Sequence, residues 1–120
     1  IYSHKSFNIY FNLDKLDDLY KITSFAIGSP GFSQLERIEY GIPTILLSQN
    51  SIQAGLLRYW KDSKCCLIAK SAENDIKSKI LLLVKSEEII NKIKKNINKK
   101  FDNKGVLRII KKIENYSKTY

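Results

Sequence analysis

The chain reads as an α/β domain built on a parallel sheet and ending in a helical tail. Three observations predict this. The apolar runs Phe25-Ala26-Ile27, Thr44 to Leu47 and Cys65 to Ala69 are too short for helices and are bounded by turn residues. Between them apolar residues recur at helical spacing. The connections are short, and strands alternating with helices across short loops build right-handed β-α-β units.

Taken in order, Phe7 to Asn12 alternates and is rich in aromatics, which predicts a first strand. Leu13, Leu16, Leu19 and Tyr20 then follow a helical period, with Asn12 or Asp14 available to start the helix. Phe25 to Ile27 is the second strand, and Phe32, Leu35 and Ile38 mark the inner face of the next helix. That helix stops at Gly41, and Pro43 leads into the third strand, Thr44 to Leu47, continuous and apolar like a strand covered on both faces. Ile52, Leu56, Leu57, Tyr59 and Trp60 describe a further helix, and Cys65 to Ala69 a fourth strand. Residues 1–70 are therefore read as the β-α-β core of one domain covering 1–120, and 71–120 as its helical tail.

The tail carries three one-sided stripes: Ile76, Ile80, Leu83 and Val84; Ile89, Ile90, Ile93, Ile97 and Phe101; Val106, Ile109, Ile110, Ile113 and Tyr116. Each stripe has to be buried against the sheet or a partner domain. Asp102 to Gly105 marks the break between the last two helices.

Composition narrows the chemistry. The 120 residues contain 43% hydrophobic and 28% charged residues, ordinary for a globular domain. No apolar run approaches bilayer-spanning length and no signal-peptide pattern is present, so a cytoplasmic protein is expected. The chain opens on Ile1 and has no Met, so it is read as a fragment. Cys65 and Cys66 are adjacent, do not suit a mutual disulfide, and are expected as buried reduced thiols. With one histidine, His4, no metal constellation forms, and no cofactor is implied. The net charge of +9 is concentrated in the tail: from Lys85 onward there are eleven Lys/Arg against four Asp/Glu, and before it ten against eight.

The chemistry is expected at Ser24 to Glu36, where an apolar run ends in a small loop, Gly28-Ser29-Pro30-Gly31-Phe32-Ser33, that opens a helix. A helix N-terminus after a strand presents unpaired N–H groups and the positive end of the macrodipole to an anion. The spacing matches neither G-x-x-x-x-G-K-[ST] nor G-x-G-x-x-G. Ser33 to Glu36 also has capping-box spacing, so a purely structural helix start is the alternative. Both this loop and Ser48 to Ser51 leave strand carboxyl ends, where ligands of parallel sheets bind.

The order of strand, Gly-Ser loop, helix with Glu36, Tyr40-Gly41-Ile42-Pro43, strand and Gln49-Asn50 resembles the C-terminal half of GT-B-type nucleotide-sugar enzymes, a Rossmann-like three-layer domain. More narrowly it is similar to the UDP-sugar hydrolase of pseudaminic acid biosynthesis and to lipid-linked N-acetylglucosaminyltransferases (glycosyltransferase family 28). A second echo, Asp102-Asn103-Lys104-Gly105-Val106-Leu107-Arg108-Ile109, is similar to the hydrolase's D-G-x-G-x-x-R-V and ranks hydrolase ahead of transferase. The resemblance covers about residues 8 to 115. The chain departs from the family pattern at Thr23-Ser24, at Pro30-Gly31, at Phe32 and at Ser51.

The resemblance implies a UDP-sugar ligand, its diphosphate on Gly28, Ser29, Gly31, Phe32 and Ser33, its ribose hydroxyls on Glu36, and its sugar or distal phosphate near Gln49 and Asn50. Structural roles for Glu36, Gln49 and Asn50 stay open beside this. The resemblance also places the catalytic base in an N-terminal domain, so no residue here is assigned a catalytic role and the chain is expected to bind without turnover. Two other classes of reading remain. One is a basic module using Lys92 to Lys100 against nucleic acid or an anionic membrane, which the scarcity of arginine and of interleaved aromatics disfavours for nucleic acid. The other is a degenerate GT-B half kept for docking.

Overall fold

The computed structural model describes residues 6–119, so His4 lies outside the described residues. The elements are α1 (Asp17–Lys21), β1 (Ala26–Gly28), α2 (Phe32–Glu39), β2 (Thr44–Leu46), α3 (Ser51–Ser63), β3 (Leu67–Ile68), α4 (Glu73–Lys85), α5 (Glu87–Lys100) and α6 (Gly105–Ser117). The strands form one parallel sheet in the order β1-β2-β3, with Ile27 opposite Ile45 and Ile45 opposite Leu67. This is the mixed α/β arrangement with a helical C-terminal tail that the sequence predicts, on three strands instead of four.

The missing strand is Phe7 to Asn12. It is irregular, with Phe7 67%, Ile9 50% and Phe11 74% exposed. Alternation yields a strand only where a neighbour completes the ladder, and the sheet of the described residues consists of β1, β2 and β3. Asn12 sits at φ 51, in the left-handed region, which breaks the run before a helix can start there. The first helix accordingly begins only at Asp17, without a side-chain cap. The fourth predicted strand shortens to Leu67–Ile68, because Cys65 and Cys66 belong to the bend that follows α3.

The core forms around β2, all three of whose residues are buried. Ile38 of α2, Ile45 and Leu46 of β2, Trp60 of α3, Leu83 of α4 and Ile93 and Ile97 of α5 make one apolar cluster. The first two tail stripes therefore cover the sheet, save Val84, which is 64% exposed. The third does not: no residue of α6 is buried, and Val106, Ile109, Ile110 and Ile113 remain open.

The stop of α2 sets the register of β2. Gly41 adopts φ +67, its N–H donates to the Ile38 carbonyl at 2.9 Å, and the Ile42 N–H donates to the Arg37 carbonyl at 2.9 Å. This is a Schellman motif, whose left-handed position favours glycine. Pro43 then cannot continue the helix, and its carbonyl accepts from Ala26 N–H at 2.9 Å, aligning β2 with β1.

Both cysteines are free and buried. The Cys66 thiol contacts the Trp60 carbonyl at 3.6 Å, and burial pushes its pKa from 9.0 up to about 12. A thiol raised this way leaves the fold at full stability below the unfolded-state pKa, and stability then falls as pH rises towards the folded value. Denaturant unfolding should therefore show stability declining above pH 9, by about 2 kcal/mol near pH 10.5, and Cys66→Ala should flatten that decline. An equally steep fall in the variant would assign it to other groups.

Candidate functional site: the loop after the first strand

Because β1, β2 and β3 run parallel as neighbours, the loops at their carboxyl ends meet along one edge. Leu47 N–H donates to the Gly28 carbonyl at 3.0 Å and Ala69 N–H to the Leu46 carbonyl at 3.0 Å. Ser71 Oγ reaches the Ser48 carbonyl at 3.4 Å, joining the second and third loops. The segments Gly28 to Ser33 and Ser48 to Ser51 thus do share an edge, as their place after strands predicts.

The helix that opens on the first loop starts differently from the capping-box expectation. Gly31 is the N-cap and no side chain caps the helix, so Ser33 and Glu36 do not form the reciprocal pair. Ser33 instead lies inside the first turn, where its hydroxyl accepts from Arg37 Nη1 at 3.3 Å. With the boundary two residues earlier than the capping box requires, Glu36 is the fifth helical residue rather than a first-turn carboxylate, and the first turn of α2 contains no acid. Its N–H donors and dipole are left without a side-chain counter-charge, a favourable place for an anion.

The inner face of α2 also differs from the apolar stripe read in the sequence. Phe32 is 90% exposed and Leu35 48%, whereas Gln34 and Arg37 are buried beside Ile38. Phe32 and Leu35 line an apolar groove of about 370 Å³ with Pro30, Gly31, Leu56, Tyr59 and Trp60. Arg37 turns inward because the loop gives its donors acceptors: Nε donates to Gln34 Oε1 at 2.9 Å and Nη2 to the Ser29 carbonyl at 2.8 Å. A Cβ at residue 28 would stand 2.8 Å from Arg37 Nη1, so glycine at residue 28 leaves the guanidinium room to lie where it does beneath the loop. Trp60 Nε1 donates to the Pro30 carbonyl at 3.2 Å and fastens the other side of the loop to α3.

Arg37 makes no ion pair among the described residues, and burial pulls its pKa below the usual 12.5. The Gln34 carboxamide is wholly buried, and with its oxygen taken by Arg37 its Nε2 has no partner. Sequence reasoning missed both residues. A polar or charged side chain at helical spacing is normally assigned to solvent. The available signal was that Arg37 stands three residues after Gln34 and four after Ser33, a spacing that puts each pair together on a helix.

Glu36, next to Arg37 in sequence, faces outward. It accepts a hydrogen bond from Tyr20 Oη at 3.2 Å and lines a polar groove of about 340 Å³ with Leu13 to Asp17, Tyr20, Glu39 and Tyr40. Burial, followed by the bond to Glu36, raises the Tyr20 pKa. Tyr40 donates to Asp17, which pushes its own pKa up to about 12, and its ring lies 5.3 Å from that of Tyr20. Both phenols therefore stay neutral donors at physiological pH.

Gln49 and Asn50 are exposed at the second loop. Asn50 is the N-cap of α3, its Oδ1 accepting from Gln53 N–H at 2.9 Å, while Gln53 Oε1 accepts from Gln49 N–H at 2.8 Å. The cap uses the Asn50 oxygen and not its amide nitrogen, and the Gln49 side chain makes no hydrogen bond among the described residues. Asp102, in the second echo, accepts from Lys104 N–H at 3.0 Å and Arg108 Nη1 at 2.6 Å, holding the turn into α6, and its pKa is lowered chiefly by the Arg108 bond. This turn borders a groove with Leu35, Ile38 and Glu39 of α2. Among the described residues no group of His, Cys, Asp and Glu could hold a metal ion.

The cap makes a testable distinction. Asn50→Ala should cost about 1 kcal/mol of stability in denaturant unfolding, and Asn50→Ser should restore most of it. No loss on Ala substitution would show that the side chain is not needed for the fold.

No family model matches this chain, nor does any curated protein or solved structure.

Proposed function

We propose that this domain binds the nucleoside diphosphate part of a UDP-sugar, as the C-terminal half of a GT-B-like UDP-sugar hydrolase of bacterial surface-sugar biosynthesis. The observation that carries the reading is the polarity of α2. Its N-terminus opens uncapped on the loop at the end of β1, and one turn further Glu36 enters a groove rich in hydrogen-bonding groups. An anion suits the first and a vicinal diol the second, because a carboxylate accepts from both hydroxyls. The rise along the helix from Gly31 to Glu36 is about 7.5 Å, a span that a ribose and its phosphates cover.

In this reading Gly28, Ser29, Gly31 and Ser33 cradle the diphosphate, and Gln49 with the amide nitrogen of Asn50 meets the sugar or distal phosphate. Phe32 forms one wall beside the cradle through its ring, which is open to the apolar groove. The catalytic base belongs to a preceding domain that closes over this edge. Hydrolase is preferred to transferase because Asp102, Gly105 and Arg108 of the second echo form one turn through the Asp102–Arg108 bond. A cytoplasmic setting fits such a ligand. No helix of the described residues is long and apolar enough to cross a membrane.

The test is an amide chemical-shift titration with UDP, using CDP as the control for the base. Saturable shifts at Gly28 to Glu36 and Ser48 to Ser51 are expected. Glu36→Ala should weaken UDP about ten- to hundredfold, the loss of charge-assisted bonds worth about 1.5–3 kcal/mol. Absence of shifts at millimolar UDP would overturn the reading, and unchanged affinity in the variant would remove Glu36 from the site.

A further inference from the structure

We propose that Arg37 is the residue on which selection of a diphosphate-class oxyanion at the Gly28–Ser33 loop depends, acting from beneath the loop as a fixed cation. The inference rests on the nucleotide-binding reading and adds a residue which the resemblance does not assign.

Three independent features point to it. Arg37 is only 7% exposed, yet no carboxylate among the described residues pairs with it; its partners are the Gln34 carboxamide, the Ser33 hydroxyl and the Ser29 carbonyl, all neutral. A buried guanidinium with no carboxylate in direct contact is costly, and Glu36 offsets this cost only through space. Second, the Gln34 Nε2 donor is buried and unpartnered in the first turn of α2, on the amide group that Arg37 holds. The amide cannot be turned round to relieve it, since Arg37 Nε requires an acceptor. Third, the helix above them starts without a side-chain cap or a first-turn acid.

Cation, spare donor and helix dipole have the same sign and adjoin one loop through the Gln34–Arg37 and Arg37–Ser29 bonds, and an anion would answer all three. A diphosphate presents oxyanions in a row and matches a loop of successive N–H groups better than a single carboxylate does. Because Arg37 lies under the backbone, its contribution is electrostatic and positional: it fixes Ser29 and Ser33 while its charge lowers the energy of the bound anion.

The experiment separates charge from scaffolding. UDP, uridine and inorganic pyrophosphate would be titrated against the wild-type chain, Arg37→Lys and Arg37→Gln. The preference for UDP over uridine should fall about tenfold or more in Arg37→Gln and be largely kept in Arg37→Lys. Pyrophosphate should raise the Tm of the wild type and Arg37→Lys but not of Arg37→Gln. In the wild type, the Gln34 side-chain amide and Arg37 Nε–H signals should move as pyrophosphate saturates, a readout that stands even if Arg37→Gln does not fold. Equal losses for UDP and uridine, or unmoved Gln34 and Arg37 signals, would overturn the inference. If UDP binds as proposed while its ratio to uridine is the same in Arg37→Gln, the inference fails and the nucleotide reading survives. If pyrophosphate binds through Arg37 and UDP is no tighter, the nucleotide reading fails and the anion site stands. Binding of neither pyrophosphate nor UDP would end both.

Discussion

The organisation of this edge of the domain depends on one packing constraint: a guanidinium lies under a loop with no room to spare. Arg37 has room where it lies because residue 28 lacks a Cβ, and it holds the loop because Ser29 and Ser33 present acceptors at 2.8 and 3.3 Å. Trp60 fixes Pro30 from the other side, and its ring stacks on Phe101 at 5.9 Å, so the loop is tied through α3 to the helical tail. The start of α2 is therefore shaped from below, by buried polar contacts, and not from above by a cap. That leaves its outer donors unspent.

The same helix is fixed at its other end by backbone geometry. The Schellman turn at Gly41 and the stop at Pro43 pass the chain directly into the buried centre of the sheet. Between these two anchors α2 has little freedom to rotate, and the residues that face inward are decided by the loop rather than by hydrophobicity. Gln34 and Arg37 are buried while Phe32 and Leu35 are left in an open groove. A helix with this inverted pattern gives up apolar burial, worth about 1.5–3 kcal/mol for a fully buried Phe or Leu. Such local departures from the best packing are characteristic of sites kept for binding.

These facts explain which parts were legible in the sequence. The order of elements from Phe25 to Lys85, the parallel sheet, the stop at Gly41 and the shared edge of two loops all follow from short-range signals: apolar runs, glycine and proline punctuation, and connection length. Phe7 to Asn12 was misread because alternation carries no information about whether a partner strand exists. The capping-box reading puts Glu36 two positions too early in the helix because the S-x-x-E spacing competes with a glycine N-cap, and the backbone takes the glycine. Arg37 was missed because its burial depends on acceptors eight and four residues away and on the absence of a side chain at residue 28. Only the four-residue spacing to Ser33 is visible as a periodicity, and by itself it does not bury a charge. Asn50, by contrast, kept both of its readings, since an N-cap uses its oxygen and leaves its amide.

Adjacent residues in α2 carry opposite charges, Glu36 open to a polar groove and Arg37 buried beneath the loop, and this contrast is the strongest argument for the proposed ligand. Glu36 points into a groove that also holds Asp14, Asp17 and Glu39, an environment that repels anions and attracts hydroxyl and imide donors. Arg37 points beneath a loop where every unspent group favours an anion. A ligand that is uniformly anionic would be rejected by the first region, and a neutral one would gain nothing from the second. What matches both is a molecule with donors at one end and phosphates at the other, joined over less than one and a half helical turns. A nucleoside diphosphate has that polarity along its length, and under the proposed reading its direction on the helix would be set before any contact with a sugar is made.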